Sequence, residues 1–530
     1  MAKIDEAKRI RANHHKKCDE ARPSCRRCID SDRVCDGYES PEPKARSAKG
    51  VPQRAVSQSR TGAIQAQTGH SFKIPNCFLA SLVDASQIDL TPRERWHLNA
   101  FRTYTSAECA GYVHDEFWQR LVHQVSEEQP AIRHAAIAIS ALHRRFALDA
   151  AGRELEPESQ DGRDSLFSLR QGSKAIAHLR QTLTKHPYAP RGSTETALVG
   201  CVLLVSLASL QQDERTVCLH LRSGYKLLEE WQKVNFNDSP AGPILLQTFA
   251  QLHLNQSTFT DPVKYMTNES TSLASLVTNN PQISGTIDNT DPGSDAMVIL
   301  GWIVSQNCPQ GFELDMSPAT SVQTQQPTVF SKLQFWRSQL SSFVLNHSSG
   351  LLQRDYDALK LVELWCEITH IMVVMASQPG QTEMGYDGLL SHFQWVVYLA
   401  GFLIESSSPQ PATTGFSAKI GVIPALFFCG QKCRDWHLRR EALRLLRSKK
   451  RQEGIWRSSD AALVLQKLID VESEGACPEM VIPEPARLTA IDINIFPESS
   501  QVLFSYQRPR VPDPWEKDAG RFWENVLLSH

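Results

Sequence analysis

The stretch FWQRLVHQVSEEQPAIRHAAIAISALHRRF, residues 117–146, decides the fold class of this chain. In its first half Phe117, Leu121 and Val125 recur every four residues, which places them on one face of a helix. Pro130 can begin a second helix, because it has no N–H to donate and its fixed φ suits the first turn. The apolar stripe of that second helix comprises Ile132, Ala136, Ile139, His143 and Phe146. The pattern predicts two helices in a mainly α protein.

The same periodicity extends through most of the chain. Thr91-Pro92-Arg93-Glu94 predicts where the helical body begins, with Thr at the N-cap, Pro at N1 and Glu at N3. Segments at 260–295 and 317–328 are rich in Ser, Thr, Asn, Gln and Pro, and they predict loops. Further helices are predicted at about 164–185, 194–211, 213–232, 355–377, 386–405, 434–448 and 459–473.

The pattern changes at the end of the chain. The segments ARLTAIDINIF, residues 486–496, and QVLFSYQRP, residues 501–509, alternate apolar and polar side chains. They flank the turn-forming sequence Pro497-Glu498-Ser499-Ser500, so we predict a hairpin in a small C-terminal sheet. The predicted organisation is a partial zinc-cluster module at 1–38, a flexible linker at 39–90, a helical domain at 91–480, and C-terminal strands at 481–530 that complete it.

Four cysteines lie in KKCDEARPSCRRCIDSDRVCDGY, residues 16–38, with the spacing C-x6-C-x2-C-x6-C. Cys25 and Cys28 are close enough for their two thiolates to hold one zinc ion, and Cys18 and Cys35 can supply further sulfurs. Core cysteines or a disulfide pair are the alternatives. The stretch has few hydrophobic residues to form a core, so the spacing favours a zinc site.

Charge is distributed unevenly along the chain. Residues 1–60 contain fifteen Lys or Arg and nine Asp or Glu, a net charge of +6. The remaining 470 residues contain 41 and 49, a net charge of −8, so the overall value of −2 conceals the difference. A basic end joined to an acidic body is typical of a DNA-binding protein, because Lys and Arg neutralise phosphates and release counterions.

The cysteine stretch resembles the fungal zinc binuclear cluster, a six-cysteine DNA-binding module of fungal transcription factors. Cys18 matches the third cysteine of that pattern, and Cys25, Cys28 and Cys35 match the fourth, fifth and sixth. No cysteine precedes Cys18; Lys8 and Arg11 stand where the first pair is expected. In the family the first and fourth cysteines bridge both zinc ions, so the difference affects both metal positions.

Two explanations of the missing pair remain open. Either the chain has one four-sulfur site, in which His14 or His15 can stand in as a nitrogen ligand, or the start of this sequence omits an upstream exon. The abrupt change at MAKIDEAKRIRA favours the second. The resemblance also implies that the loop before Cys18 reads CGG-type triplets in the major groove. The predicted DNA-contacting residues are His14, His15, Lys16, Lys17, Arg26 and Arg27.

The body resembles the regulatory domain of the same fungal factors. Residues 117–146 are similar to a sequence motif, or phrase, of this family in which a helix with a Trp precedes a helix with a His-Ala pair. A second family phrase is similar to residues 423–458, IPALFFCGQKCRDWHLRREALRLLRSKKRQEGIWRS. The second phrase has a Pro-start helix, a Cys-Arg turn, an Arg-Arg-Glu-Ala helix and a Glu-Gly-Trp cap. We interpret both phrases as packing and capping features. No sustained heptad pattern predicts a coiled-coil dimer.

The resemblance implies a nuclear, zinc-dependent regulator of RNA polymerase II genes, with a secondary-metabolic gene cluster as a suspected target. Its expected partners are double-stranded DNA, the transcription machinery or co-regulators, and a second copy in a homodimer. A regulator that has lost autonomous DNA binding and acts through protein partners is the alternative, and a helical scaffold with a lone zinc site is a more distant one.

The sequence does not favour an enzyme or a membrane protein. It contains no Walker loop, Gly-rich dinucleotide turn, G-x-S-x-G elbow or H-E-x-x-H helix. Cys429 and Cys433 are one helical turn apart, but only His437 is nearby, so we interpret them as core cysteines. The longest apolar run, residues 197–210, is too short to span a bilayer, and the nine dispersed cysteines indicate reduced thiols inside a cell.

Overall fold

The structure, a computed structural model, covers most of the helical body and the C-terminal strands. The predicted zinc module at 1–38, the predicted linker up to residue 89 and the predicted loops at 260–295 and 317–328 lie outside the described residues. Those predictions therefore stay predictions. The described residues are 90–112, 115–150, 160–185, 192–234, 239–258, parts of 331–345, 352–377, 382–405, 415–474, 480–509 and 521–530.

The body begins at the predicted capping signature. Helix α1 spans Pro92–Ala100 and continues through a π-helical turn, Phe101–Thr105, into α2, Ser106–Cys109. The Glu94 backbone N–H donates to Thr91 Oγ1 over 3.3 Å, and the Thr91 N–H donates to Glu94 Oε2 over 2.9 Å. These reciprocal bonds satisfy two backbone donors that a helix N-terminus otherwise leaves without partners, so the predicted capping box is confirmed.

The 117–146 stretch forms two helices, as predicted. A π-helical turn at Phe117–Leu121 leads into α3, Val122–Glu128, and α4 spans Pro130–Ala150. The predicted stripe of α4 faces the core, with Ile132, Ala136, Ile139 and His143 buried and Phe146 partly buried.

Helices α5 to α8 complete the first hydrophobic core. They span Gln160–Lys185, Gly192–Leu210, Glu214–Val234 and Ala241–Ser257. Helix α6 contains an 18-residue segment, Ser193–Leu210, that is long and apolar enough to cross a membrane, but 83% of that segment is buried inside the protein. Helix α6 has no polar face because α4, α5, α7 and α8 all pack against it.

A second core lies around the later helices. These are α9, Gln353–Ser377; α10, Leu390–Glu405, which follows a 3₁₀ segment at Glu383–Leu389; α11, Ile423–Lys432; α12, Trp436–Ser448; and α13, Ser458–Glu472. Both cores belong to one compact unit.

Two small sheets accompany the helices. Strands β1, Phe416–Ser417, β2, Gln452–Glu453, and β3, Trp456–Arg457, form a sheet in the order β1-β2-β3. Phe416 and Ala418 reach into the first core, and the Ala418 N–H donates to Cys109 O over 3.1 Å. The sheet therefore links α2 to the connection between α12 and α13.

The predicted C-terminal hairpin is present and has a third strand. Strand β4, Thr489–Phe496, pairs with β5, Gln501–Pro509, which also pairs with β6, Arg521–Ser529; both pairings are antiparallel. Val502 and Phe504 on the inner face are buried in the second core. Neither β6 nor α8 was predicted from the sequence, and the small sheet β1-β2-β3 lies within the region that was predicted to be helical.

Candidate functional site: an arginine groove over a buried ion network

The residues predicted to hold zinc and to contact DNA lie outside the described part of the chain. This applies to Cys18, Cys25, Cys28 and Cys35 and to His14, His15, Lys16, Lys17, Arg26 and Arg27. Within the described ranges, no group of three or more His, Cys, Asp or Glu side chains could hold a metal ion. Cys429 and Cys433 are free thiols in the second core, as predicted, and burial raises the pKa of Cys433 to about 11. The chemistry that the structure does describe lies around the second family-like phrase.

The turn between α11 and α12 places a cation in the protein interior. Asp435 is the N-cap of helix α12, and its side chain accepts hydrogen bonds from the N–H groups of His437 and Leu438. Immediately before it, the Arg434 side chain is only 2% exposed. Its Nη1 lies 2.6 Å from Glu383 Oε2 and its Nη2 lies 3.0 Å from Glu472 Oε1. The predicted Cys-Arg turn is therefore an ion-paired junction between the 3₁₀ segment and α13.

A second arginine completes the junction from inside α12. Arg439 Nη2 lies 2.7 Å from Glu472 Oε2, and Arg439 Nε donates to Gly430 O over 3.0 Å. Glu472 Oε1 also accepts from the Leu488 N–H over 2.8 Å. One carboxylate at the end of α13 thus connects α12, the turn before it and the residue that leads into β4. We call Glu383, Lys432, Arg434, Arg439 and Glu472 the ion network.

The network is charged at neutral pH. Burial alone would raise the pKa of Glu383, but Lys432 and Arg434 outweigh burial and lower it to about 2. Burial likewise opposes the charge on Glu472, yet Arg434 and Arg439 keep its pKa below the ordinary value. Lys432 Nζ contributes a further ion pair with Glu383, at 2.8 Å. Three cations therefore face two carboxylates in an interior where an unpaired charge is costly.

The segment predicted as a Glu-Gly-Trp cap does not lie at the end of a helix; it forms the turn between β2 and β3. Gly454 occupies the turn between β2 and β3 with φ +59°, a conformation that favours glycine. Glu453 instead caps α11, because its Oε2 accepts from the Ile423 N–H over 2.8 Å. Trp456 Nε1 donates to Thr258 Oγ1 over 3.1 Å. Glu453 therefore caps α11, which lies about 20 residues earlier in the sequence, and not α13, which follows it.

The outer face of α12 carries a groove of about 560 Å³. Arg440, Arg444 and Arg447 project on this face because they are four and three residues apart on one helix. Leu443 lies between them. We call this surface the arginine groove; its lining residues are Arg440, Leu443, Arg444, Arg447, Ser448 and Gln466.

Two of the groove arginines already have partners. The Arg440 guanidinium lies 3.1 Å from the centre of the Trp436 ring, and Arg444 Nη2 lies 2.7 Å from Glu441 Oε1. Arg444 also lies 3.4 Å from Glu405. Guanidinium groups around an apolar floor can bind carboxylates or phosphates, whereas none of the lining side chains is a nucleophile activated by a base. The groove is suited to binding an anionic group.

Comparison with known proteins finds a family match in the first half of the body. Residues 98–311 match the fungal specific transcription factor domain. This match begins in α1 and extends beyond α8, so it includes the 117–146 stretch on which the predicted resemblance rests. It does not reach the second phrase, the arginine groove or the cysteine stretch. The predicted regulatory resemblance is confirmed for this region, and the zinc module stays a prediction.

Two relatives agree with this match. The chain is 25% identical over 219 residues to the transcription regulator lscL of Purpureocillium lilacinum, a match that covers 41% of this chain and 47% of the relative. It is 30% identical over 218 residues to the aspercryptin biosynthesis cluster-specific transcription regulator atnN of Emericella nidulans, covering 41% of this chain and 33% of the relative. The chain matches less than half of the length of either relative. No solved structure matches it.

The domain description and both names are those of transcription regulators, which are not enzymes. This agrees with the sequence analysis, in which no catalytic constellation was found.

Proposed function

We propose that this protein is a nuclear, zinc-dependent transcription regulator of a fungus that binds specific DNA sites next to RNA polymerase II genes. The observation that carries the proposal is the match of residues 98–311 to the fungal specific transcription factor domain. The cysteine spacing and the net charge of +6 over residues 1–60 support the DNA-binding part. The helical body then acts as the regulatory part, and Lys and Arg of the first 60 residues contact the phosphates.

The proposed targets are genes of a biosynthetic cluster. One relative is named as a cluster-specific regulator, of aspercryptin biosynthesis, and this supports the same class of target here. Deletion of the gene, followed by transcript sequencing and chromatin immunoprecipitation of the tagged protein, tests the proposal. We expect the protein on promoters of one contiguous gene cluster, with coordinated change of its transcripts. Transcripts that are unaffected across all such clusters would contradict it.

Zinc content is the first biochemical test. We expect the purified full chain, under reducing conditions, to contain at least one zinc ion per chain, because Cys18, Cys25, Cys28 and Cys35 supply four thiolates. The double variant Cys25→Ser, Cys28→Ser should lose it, and Cys77→Ser, outside the cluster, should retain it. Elemental analysis measures all three. Less than one zinc per parent chain would contradict the prediction, and two would show that other groups, such as His14 or His15, complete a second site.

Salt dependence is the second test. Replacing Lys16 and Lys17 with Gln should weaken binding to every duplex and reduce the slope of log affinity against log salt by about 2, since each phosphate contact releases about one counterion. A gel-shift series over salt, with duplexes containing CGG triplets and shuffled controls, measures the slope. The matched control is Lys449→Gln with Lys450→Gln, two adjacent exposed lysines of the body. An unchanged slope in the first variant would contradict the assigned contacts.

A second candidate is a regulator that reaches its genes through protein partners alone. It follows if the protein has only the one four-sulfur site, in which Cys18, Cys25, Cys28 and Cys35 fill four of the six family positions. The arginine groove then offers a contact surface for an acidic partner segment. This candidate predicts no gel shift with any duplex, together with promoter occupancy in cells that falls in the triple variant Arg440→Gln, Arg444→Gln, Arg447→Gln. A gel shift by the purified chain would exclude it.

A further inference from the structure

The outer edge of the C-terminal sheet is a regular and exposed strand. Strand β6 pairs with β5 at nine consecutive positions, from Arg521 opposite Pro509 to Ser529 opposite Gln501. Among the described residues, β5 is its strand partner, so the other edge of β6 presents its backbone N–H and C=O groups outward. Such an edge is a template for another strand, and natural proteins commonly protect it.

The opposite edge of the same sheet shows such protection. The pairing of β4 with β5 has an irregularity between Thr489 and Asp492, where Ala490 adopts φ +50°. An irregularity of this kind twists an edge and interrupts its row of hydrogen-bonding groups. Strand β6 has no register shift and no Lys or Pro, and its inward-pointing Glu524 accepts a hydrogen bond from Tyr506 of the same chain. The two edges therefore differ in their suitability for pairing.

The exposed side chains of β6 alternate along the strand, and two of them are large and apolar. Trp523 is 50% exposed and Leu527 is 53% exposed, with exposed Asn525 between them on the same face. On the other face Val526 and Leu528 pack against the second core. The solvent-facing row of β6 is thus an aromatic ring, an amide and an aliphatic side chain at equal spacing.

We propose that β6 pairs with β6 of a second copy of this chain, antiparallel and with Asn525 on the twofold axis. In this register Trp523 of each copy lies directly opposite Leu527 of the other, and the two Asn525 amides face each other. Aromatic and branched aliphatic side chains directly opposite each other stabilise an antiparallel pair. Because the pair has twofold symmetry, the contact between Trp523 and Leu527 occurs twice. The two three-stranded sheets then form one six-stranded sheet.

Neighbouring registers are less favourable for identifiable reasons. A shift that places the axis at Glu524 sets two carboxylates directly opposite each other, which is destabilising. A shift that places it at Val526 sets Trp523 opposite Ser529 and Leu527 opposite Asn525, so the apolar contacts are lost. The axis at Asn525 is the one that pairs all nine residues of β6, from Arg521 to Ser529, with residues of the second copy. This dimer does not depend on zinc, on DNA or on the proposed function.

Mass measurement tests the dimer. Light scattering of the full chain across a concentration series should show a mass about twice the 59.4 kDa of one chain. Leu527→Lys should weaken association at least tenfold, because it replaces the apolar contact and adds a charge to the edge. The matched control is Leu219→Lys, which makes the same change at a leucine of α7 that is 60% exposed. A monomer at every concentration, or equal association of both variants, would overturn the proposal.

Disulfide crosslinking tests the register. Asn525→Cys places two thiols on the axis, so mild oxidation should give a covalent dimer well above the background of the parent chain. Ser529→Cys, exposed on the same strand, is the control: eight residues of about 3.4 Å each place its two copies roughly 27 Å apart. Melting temperatures equal to that of the parent establish that each variant is folded. Equal crosslinking of the two variants would contradict the proposed axis.

Discussion

Replacing Glu472 with Gln should lower the free energy of unfolding by about 3–5 kcal/mol, the range found when one partner of a buried ion pair is removed. The Glu472 carboxylate is fully buried and contacts both Arg434 and Arg439. Gln keeps the size of the side chain and an acceptor for the Leu488 N–H, so the variant isolates the loss of charge. Arg434 retains its ion pair with Glu383, whereas Arg439 retains its hydrogen bond to the carbonyl of Gly430.

The matched control for this prediction is Glu441→Gln, the same change on the solvent side of α12. Glu441 pairs with Arg444 three residues later, and both side chains are about half exposed. A surface pair of this kind contributes about 1 kcal/mol or less. Urea unfolding of the full chain, followed by tryptophan fluorescence, measures both variants. Equal stability of Glu472→Gln and the parent would show that desolvation of the two arginines cancels the attraction in the ion network.

The ion network also shows what sequence reasoning could not reach. The helix over 434–448 was predicted within two residues of α12, because its apolar residues follow the 3.6-residue period. The sequence does not indicate that Arg439 points inward while Arg440 lies on the groove side, since both are adjacent charged residues in one basic run. The partner of Arg439, Glu472, lies at the end of the next helix, and only tertiary packing brings them together.

The strands that escaped prediction lack a clear local signal. Strands β1 to β3 have two residues each, too few for an alternating pattern. Helix α8 begins at Ala241 after Ser239 and Pro240, and the Ser239 Oγ accepts from the Ala241 N–H over 3.3 Å, so a Ser-Pro start signal was present and the prediction missed it. Strand β6 places Glu524 among the residues of its inner face, where Tyr506 binds it, and this breaks the alternation. The pairings of β1 with β2 and of β5 with β6 join residues that are distant in sequence, so no local pattern indicates them.

Some residues of the candidate sites were predicted from the sequence, and others were not. The zinc ligands and the DNA-contacting residues were predicted from spacing and charge within one short segment, which is where local patterns are most informative. The arginine groove was not predicted, although positions 440, 444 and 447 could have indicated it by their helical spacing. Gln466, on α13, could not have been assigned to it, because nothing in the sequence places α13 beside α12.

Replacing Trp118 with Ala should destabilise the first core by about 3–5 kcal/mol, the usual effect of removing a large buried aromatic side chain. Trp118 is 1% exposed, and its ring centre lies 5.1 Å from that of Phe117 and 6.4 Å from that of Phe101. The cavity left by the indole is surrounded by helices that are held by other contacts, so they can close it only in part. A loss of this size is a large share of the stability of an ordinary domain.

Trp395→Ala is the matched control, because Trp395 is 40% exposed on α10 and stacks on Tyr398 at the surface. We expect it to cost about 1 kcal/mol or less, since a half-exposed side chain leaves no internal cavity. Thermal melts and urea unfolding of the full chain compare the two, and zinc content is measured on the same samples. Zinc binding should be unaltered in both variants, because the predicted ligands lie before residue 40, far in sequence from either tryptophan. Equal melting of the two variants would show that the 117–146 stretch does not form the packed core on which the match to the regulatory domain depends.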